Sequence, residues 1–300
     1  MAVATSPPVA DAAALPPPHR RRKPVTKALR RIPVLLALAV LLVIMVYPLF
    51  WMLISSLKSQ EEFITEPPWA LPSTLNWQNY SEAFTTGHLG QYALNSVLAT
   101  VPSLAFIVLC GTAAGFALEV LIFKGRATIL LIFLAGIMIP GQMILLPLFN
   151  VYFRAGITGT LWPLILTYSA TGLPLTVFMM ATFFRAVPRE IFEAATIDGA
   201  SMLRAFFSIG FPMVRNAVFT VALVQFFFIW NDLLVALTFS NSASSATIQV
   251  GLLNFSGQFG STQYGPLFAA ICLNVFAILV LYLFLNQRIM RGLTAGSLKG

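Results

Sequence analysis

Long stretches without a charged residue divide the chain into apolar segments. The first, 32–54, suffices for one bilayer crossing, because a helix rises about 1.5 Å per residue and about 20 residues span the hydrocarbon. The stretch 233–287 is too long for one helix, and its polar part, 241–264, predicts a loop. The whole pattern predicts an all-α membrane protein with six transmembrane helices, at about 32–55, 91–118, 127–148, 160–184, 213–240 and 265–286.

The composition supports this interpretation. Hydrophobic residues make up 58% of the 300 residues and charged residues only 9%, whereas a soluble domain is about 25% charged. These values exclude an ordinary soluble domain and also a disordered chain, which needs low hydrophobicity. The first apolar segment is longer than the hydrophobic region of a cleaved signal peptide, so we interpret it as a retained signal anchor.

The basic residues sort to one side of the predicted membrane. With a cytoplasmic N-terminus, every Lys and Arg except Lys58 and Arg154 falls on the cytoplasmic side. The positive-inside rule therefore places both termini in the cytoplasm, and the net charge of +8 gives no reason to expect nucleic-acid binding. The composition of residues 1–31 predicts a disordered basic tail that can contact lipid headgroups. Residues 287–300 are predicted to form a second cytoplasmic tail.

The predicted spans contain almost no group that could carry out chemistry. There is no Ser/His/Asp set, no intramembrane carboxylate pair and no HExxH motif, and the two cysteines lie in apolar stretches. We therefore predict no catalytic residue, no metal site and no cofactor. Asp232 is the one acidic residue within a span, and it is either an interfacial carboxylate or part of a polar substrate path with Gln225 and Asn231. Helix–helix contact is the alternative role for the two amides.

The segment 187–212, between the fourth and fifth spans, predicts a cytoplasmic helix–turn–helix. Pro188 suits the first turn of a helix, and Asp198 can cap a second helix after a turn that Gly199 permits. In that second helix one apolar stripe is expected to contain Leu203, Phe206, Phe207 and Gly210. Such a segment either lies on the headgroups or docks into another protein, and the small residues at the turn favour docking.

These residues resemble the EAA loop of ATP-binding-cassette importer permeases. The matching positions are Glu193, Ala194, Ala195, Asp198, Gly199, Ala200, Phe206, Ile209 and Pro212. Two further stretches, 230–234 and 292–300, resemble the maltose-type, carbohydrate-uptake subfamily. The resemblance covers about residues 30–300.

The resemblance implies a permease subunit in the cell's inner membrane that translocates a sugar or an oligosaccharide. It also implies that the EAA helix is a coupling helix seated in an ATPase subunit. The expected partners are a second homologous permease, two ATPase copies and an extracytoplasmic solute-binding protein that faces the loop 241–264. A non-sugar cargo, such as a glycerophosphodiester, an amino acid or a polyamine, is the nearest alternative. A secondary transporter or channel is a different class, and it would need several buried charges.

Overall fold

The computed structural model describes residues 31–240, 242–255 and 262–297, and regular structure in them is helical. The predicted N-terminal tail thus lies outside the described residues except for Arg31. The helices are α1 (Ile32–Ser55), α2 (Gln60–Thr65), α3 (Gln78–Thr85), α4 (Leu89–Val120), α5 (Arg126–Met138), α6 (Gly141–Arg154), α7 (Trp162–Arg185), α8 (Arg189–Ile197), α9 (Met202–Ala205), α10 (Phe211–Trp230), α11 (Leu234–Phe239), α12 (Ile248–Leu253) and α13 (Tyr264–Ser297).

Five helical stretches of the described residues are long and apolar enough to cross a membrane, and a bent pair of helices is a possible sixth. The five are α1, α4, α7, the continuous stretch Met202–Trp230 and the part Tyr264–Phe284 of α13. Within α1, residues 32–50 belong to a unit of their own, and their side chains are exposed. The helix α13 continues to Ser297, so it includes most of the residues predicted as a C-terminal tail.

The predicted third span, 127–148, is not one straight helix. It consists of α5 and α6, which meet at an angle of 94°. Pro140 lies at the break and cannot donate a backbone hydrogen bond, and the residue before a proline disfavours the α conformation. The pair is therefore either a broken span or a re-entrant loop.

The helices α4 and α7 form the most extensive helix pair, and two glycines of α4 permit it. A Cβ atom at Gly111 would lie 2.4 Å from Thr176 Cγ2, and one at Gly115 would lie 2.6 Å from Met180 Cβ. The two glycines are four residues apart, which is the spacing at which membrane helices approach each other closely. The backbone contact between α4 and α7 thus depends on the absence of two side chains.

Polar side chains at the start of α4 hold the segment that contains α11 and α12. The buried Asn95 amide donates to the carbonyl oxygens of Ser244 and Ala246, at 3.0 and 2.9 Å. The Ser96 hydroxyl accepts the Ile248 N–H at 2.8 Å, which satisfies a free amide at the start of α12. These contacts fold the segment after α10 back onto the bundle.

Candidate functional site

The EAA segment folds as two helical arms joined by a tight turn. Its first arm consists of α8 and the C-cap residue Asp198, and Gly199 follows with φ +79°. The Gly199 N–H donates to Thr196 O at 3.0 Å, and the Ala200 N–H donates to Ala195 O at 2.9 Å. This is a Schellman motif, in which a left-handed residue after the helix allows two amides to satisfy the last carbonyls. The predicted turn at Gly199 is confirmed.

The prediction that Asp198 caps the second helix is wrong. The residue that caps α9 is Ser201, which has an extended backbone and whose hydroxyl accepts the Arg204 N–H at 3.3 Å. Asp198 is instead the last residue of the first arm, with φ −73° and ψ 5°. The Schellman motif explains the difference, because it places two residues, Gly199 and Ala200, between the C-cap of α8 and the next N-cap.

The second arm continues into α10, and together they form the helical stretch Met202–Trp230. Between α9 and α10 lies a π-helical turn, Phe206–Gly210, in which the Phe211 N–H donates to Phe206 O. Pro212 follows directly, and it has no N–H for the carbonyl four residues earlier. Such wide turns are rare and are often found at functional sites. Pro212 therefore lies inside this continuous helical stretch and does not begin a separate helix.

The predicted apolar stripe of the second arm is divided between two environments. Phe206 and Gly210 are buried, whereas Leu203 and Phe207 are exposed. The π turn lowers the rotation per residue, so residues three apart no longer share a face, whereas the pairs four apart, Leu203 with Phe207 and Phe206 with Gly210, still do.

One aromatic side chain holds both arms onto the bundle. Phe116 of α4 lies 5.6 Å from Phe192 of the first arm and 5.1 Å from Phe206 of the second, measured between ring centroids. Phe184, at the end of α7, completes the cluster at 5.4 Å. Each such aromatic pair contributes about 0.5–1.5 kcal/mol beyond the burial of its area. The two arms, α4 and α7 therefore meet in one packed cluster.

The turn itself points away from this cluster. Glu193, Ala194, Asp198 and Gly199 are exposed, whereas Ala195 and Phe206 are buried and anchor the arms. Beside the turn, the Ile197 side chain is 86% exposed. The EAA residues thus separate into an anchoring set and an exposed set, and the exposed set is small, acidic and bordered by apolar side chains.

A carboxylate links the first arm to two spans. Glu119, near the end of α4, accepts hydrogen bonds from Arg185 Nε and Nη2 at 3.2 and 3.0 Å. Arg189, the first residue of α8, lies 4.0 Å from the same carboxylate. The ends of α4 and α7 and the start of α8 therefore share one ionic cluster.

A second site is a polar cleft between α7 and α10, with a volume of about 250 Å³. Two of the residues predicted for the substrate path, Gln225 and Asp232, line it. Gln225 is only 3% exposed, and its amide donates to Gly172 O and Thr176 Oγ1, both at 3.0 Å. The third predicted residue, Asn231, is exposed and donates to Phe227 O of its own helix. The cleft thus includes two of the three predicted residues.

Asp232 lies in a break of the predicted fifth span, because α10 ends at Trp230. Its Oδ1 atom accepts the Val235 and Ala236 N–H groups at 2.9 and 3.2 Å, which satisfies amides at the start of α11. The same oxygen accepts the Tyr168 hydroxyl at 3.1 Å. The break therefore brings a carboxylate and a phenol together in the cleft. Nothing in the sequence pattern distinguishes Tyr168 beyond its polarity.

Several membrane-crossing helices, a polar cleft between two of them and an exposed helix–turn–helix define a membrane transport subunit. Residues 21–293 match the model of the binding-protein-dependent transport system inner membrane component family. The chain belongs to this family, which confirms the resemblance that the EAA segment indicated.

Relatives share most of their length with the chain. It is 35% identical to the diacetylchitobiose uptake system permease NgcG of Streptomyces coelicolor, over 86% of the chain and 85% of the relative. It is 30% identical to the melibiose/raffinose/stachyose import permease MelC of Bacillus subtilis, over 84% and 91%. A chain of a bacterial ABC transporter that imports alginate has the same fold, with a TM-score of 0.75, 16% identity and coverage of 89% of this chain and 98% of that one.

Proposed function

We propose that this chain is the transmembrane permease subunit of an ATP-binding-cassette importer that translocates a sugar or an oligosaccharide. Family membership and relatives named for saccharide uptake support this proposal. The observation that carries it is the exposed turn at Gly199, whose two arms are anchored on Phe116. ATPase subunits would bind this turn, and a second homologous permease and an extracytoplasmic binding protein would complete the importer.

The EAA segment would act as the coupling helix, with both termini and the turn in the cytoplasm. The clustering of Lys and Arg on one side of the predicted topology supports this orientation. The turn presents small residues and the exposed side chain of Ile197, a surface that suits the cleft of a partner protein. ATP binding and hydrolysis in the partner would move the turn between two positions, and the permease would contribute differential contacts in the two states.

The cleft between α7 and α10 would form one side of the path for the cargo. Its lining combines a phenol, an amide and a carboxylate with apolar side chains such as Phe228, and no cation lines it among the described residues. Hydroxyl groups of a neutral saccharide can donate to and accept from such groups, whereas an anionic saccharide would meet the Asp232 carboxylate. We therefore infer a neutral saccharide as cargo.

The experiment that tests this function is ATP-dependent uptake by the assembled importer in proteoliposomes. The chain would be assembled with a second permease, the ATPases and a binding protein, and labelled neutral oligosaccharides would be supplied outside. Saturable uptake that stops without ATP is expected. The absence of uptake for every saccharide that the binding protein binds would contradict the proposal.

Cross-linking tests the coupling role separately. A cysteine in place of the exposed Ile197 should form a cross-link with an ATPase subunit across a short bifunctional reagent. A cysteine in place of Glu61, which is exposed in α2, is the matched control and should not cross-link. Equal labelling of the ATPase from both positions would refute the assignment of the turn to the cytoplasmic side.

A further inference from the structure

The segment between α2 and α3 folds back along the end of α1. Pro68 O accepts a hydrogen bond from Trp51 Nε1 at 2.8 Å, and Trp51 lies in the last turns of α1. Eight residues later, the Asn76 N–H donates to Leu57 O at 2.9 Å. Leu57 is six positions after Trp51 in the chain, which corresponds to about 9 Å along a helix. We name residues 67–77 the strap, because they run beside this part of the chain.

Two further contacts fix the strap. The Glu62 carboxylate accepts the Ser73 hydroxyl and, at 2.9 Å, the Ser73 N–H, and it also accepts the Ser59 N–H at 2.9 Å. The hydrogen bonds from Ser73, followed by those from Ser59, lower the pKa of Glu62 to about 2. Lys58 is 2% exposed, and its ammonium group lies 3.5 Å from Pro67 O. The strap is thus held in place at several points along its length.

The strap presents large apolar side chains outward in spite of being held. Trp69 is 75% exposed and Leu71 is 66% exposed, and Leu75 and Trp77 are exposed as well. No residue of 67–77 is charged. A fixed segment with four exposed large apolar side chains indicates a surface that is covered in the native environment.

The backbone of the strap is also suited to a region with little water. Three of its residues, Pro67, Pro68 and Pro72, have no N–H group to satisfy. The N–H groups of Ala70, Ser73, Asn76 and Trp77 donate to carbonyl or carboxylate oxygens within the chain. The N–H groups of Trp69, Leu71, Thr74 and Leu75 have no such partner among the described residues. The strap therefore suits the interfacial layer, which still holds water, and not the hydrocarbon core, where every backbone amide must be satisfied within the protein.

We propose that the strap lies in the interfacial layer of the bilayer on the outer side of the membrane, with Trp69 and Leu71 in contact with lipid. Pro68 lies beside Trp51, four residues before the end of a helix that is long and apolar enough to cross the membrane. That level corresponds to the interface, where tryptophan is enriched because its ring is apolar and its N–H is polar. The strap therefore anchors the outer end of α1.

The test uses a nitroxide label on the full-length chain, in its importer complex, in lipid nanodiscs. The native Cys110 and Cys272 are first replaced by alanine. Labels are then attached to cysteines at Trp69 or Leu71 and, as a polar control in the neighbouring helix, at Glu61. Collisions with dissolved oxygen, which concentrates in lipid, are compared with collisions with a water-soluble nickel chelate.

At Trp69→Cys and Leu71→Cys, we expect oxygen collisions to exceed nickel collisions several-fold, and at Glu61→Cys the reverse. High nickel collisions at the two strap positions would show an aqueous surface and overturn the proposal. Low collisions with both reagents would show that a protein covers the strap, and they would overturn it equally.

A second measurement does not depend on cysteine variants that fold. Brominated lipids quench the emission of tryptophans that contact them, so the quenched fraction of wild-type emission should fall in Trp69→Phe. An unchanged quenched fraction would contradict the proposal. Both outcomes are independent of whether the importer transports a sugar.

Discussion

The conformation of Gly199 gives the sharpest prediction about coupling. Its φ of +79° is in the left-handed region, and a Cβ atom added there would meet nothing within 4 Å. A substitution at Gly199 therefore creates backbone strain without a collision of side chains. This separates the conformational requirement of the turn from its packing.

The expected cost follows from the backbone alone. A residue with a Cβ atom loses about 1–2 kcal/mol in the left-handed conformation, and a β-branched residue loses more than alanine. Because 1–2 kcal/mol is roughly a 5- to 30-fold change in an equilibrium, the population of the Schellman geometry relative to other conformations of the turn should fall by at least this factor in Gly199→Val. Gly199→Asn should lose less, since asparagine tolerates this conformation better.

The assay measures uptake and ATP hydrolysis in proteoliposomes that contain the assembled importer. Gly199→Val should insert in the membrane in normal amount but lose most uptake, Gly199→Ala should be intermediate, and Gly199→Asn should keep most of it. Gly90→Ala is the control, because its Cβ would lie 3.8 Å from the nearest atom. Wild-type uptake by Gly199→Val would refute the view that the geometry of this turn matters for coupling.

Glu193→Lys, which reverses an exposed charge of the turn, should also uncouple transport while the protein remains in the membrane.

Three further predictions concern stability, and each is checked by thermal unfolding of the purified protein in detergent. Gly115→Ala should lower the free energy of unfolding by about 1–3 kcal/mol, because its Cβ would lie 2.6 Å from Met180 Cβ. Stability equal to that of Gly90→Ala would contradict the close packing of α4 against α7. Asp232→Ala should lower the free energy of unfolding by about 0.5–2 kcal/mol, because it removes the acceptor for two amides of α11. Asp232→Asn keeps an oxygen acceptor and should lower the free energy of unfolding less. Equal losses in the two variants would count against this role. Glu119→Gln should lower the free energy of unfolding by only about 0.2–1 kcal/mol, because the arginine partners of Glu119 are largely exposed. A larger loss would show that this ionic cluster contributes more to stability than an exposed ion pair does.

The sequence predicted the features that depend on local chemistry. Charge-free stretches identified apolar helices, because removing a charge from water is costly whatever the tertiary fold. Gly199 was identified as a turn residue because few other residues adopt a positive φ. The break after Ile139 could have been predicted from Pro140, but the span 127–148 is apolar on both sides of it, and hydropathy does not register a bend.

The remaining features depend on contacts between residues far apart in the chain. Tyr168 and Asp232 are separated by 64 residues, and Glu119 and Arg185 by 66. Periodicity within one helix says which face is apolar, but it does not say which residue of another helix lies opposite. The role of Phe116 could not be predicted for the same reason, since one phenylalanine among 26 has no distinguishing local pattern.

The position of Phe116 suggests how a displacement of the turn would reach the membrane-crossing helices. Both arms pack against its ring, so the turn cannot move as a unit without changing contacts to α4. The second arm also joins α10, but the connection runs through the wide turn Phe206–Gly210 and Pro212, where the regular hydrogen-bond pattern is interrupted. A helix with such an interruption can bend there at lower cost than elsewhere. We therefore expect α4, and α7 packed closely against it, to follow the turn more rigidly than α10 does, which would change the width of the cleft between α7 and α10.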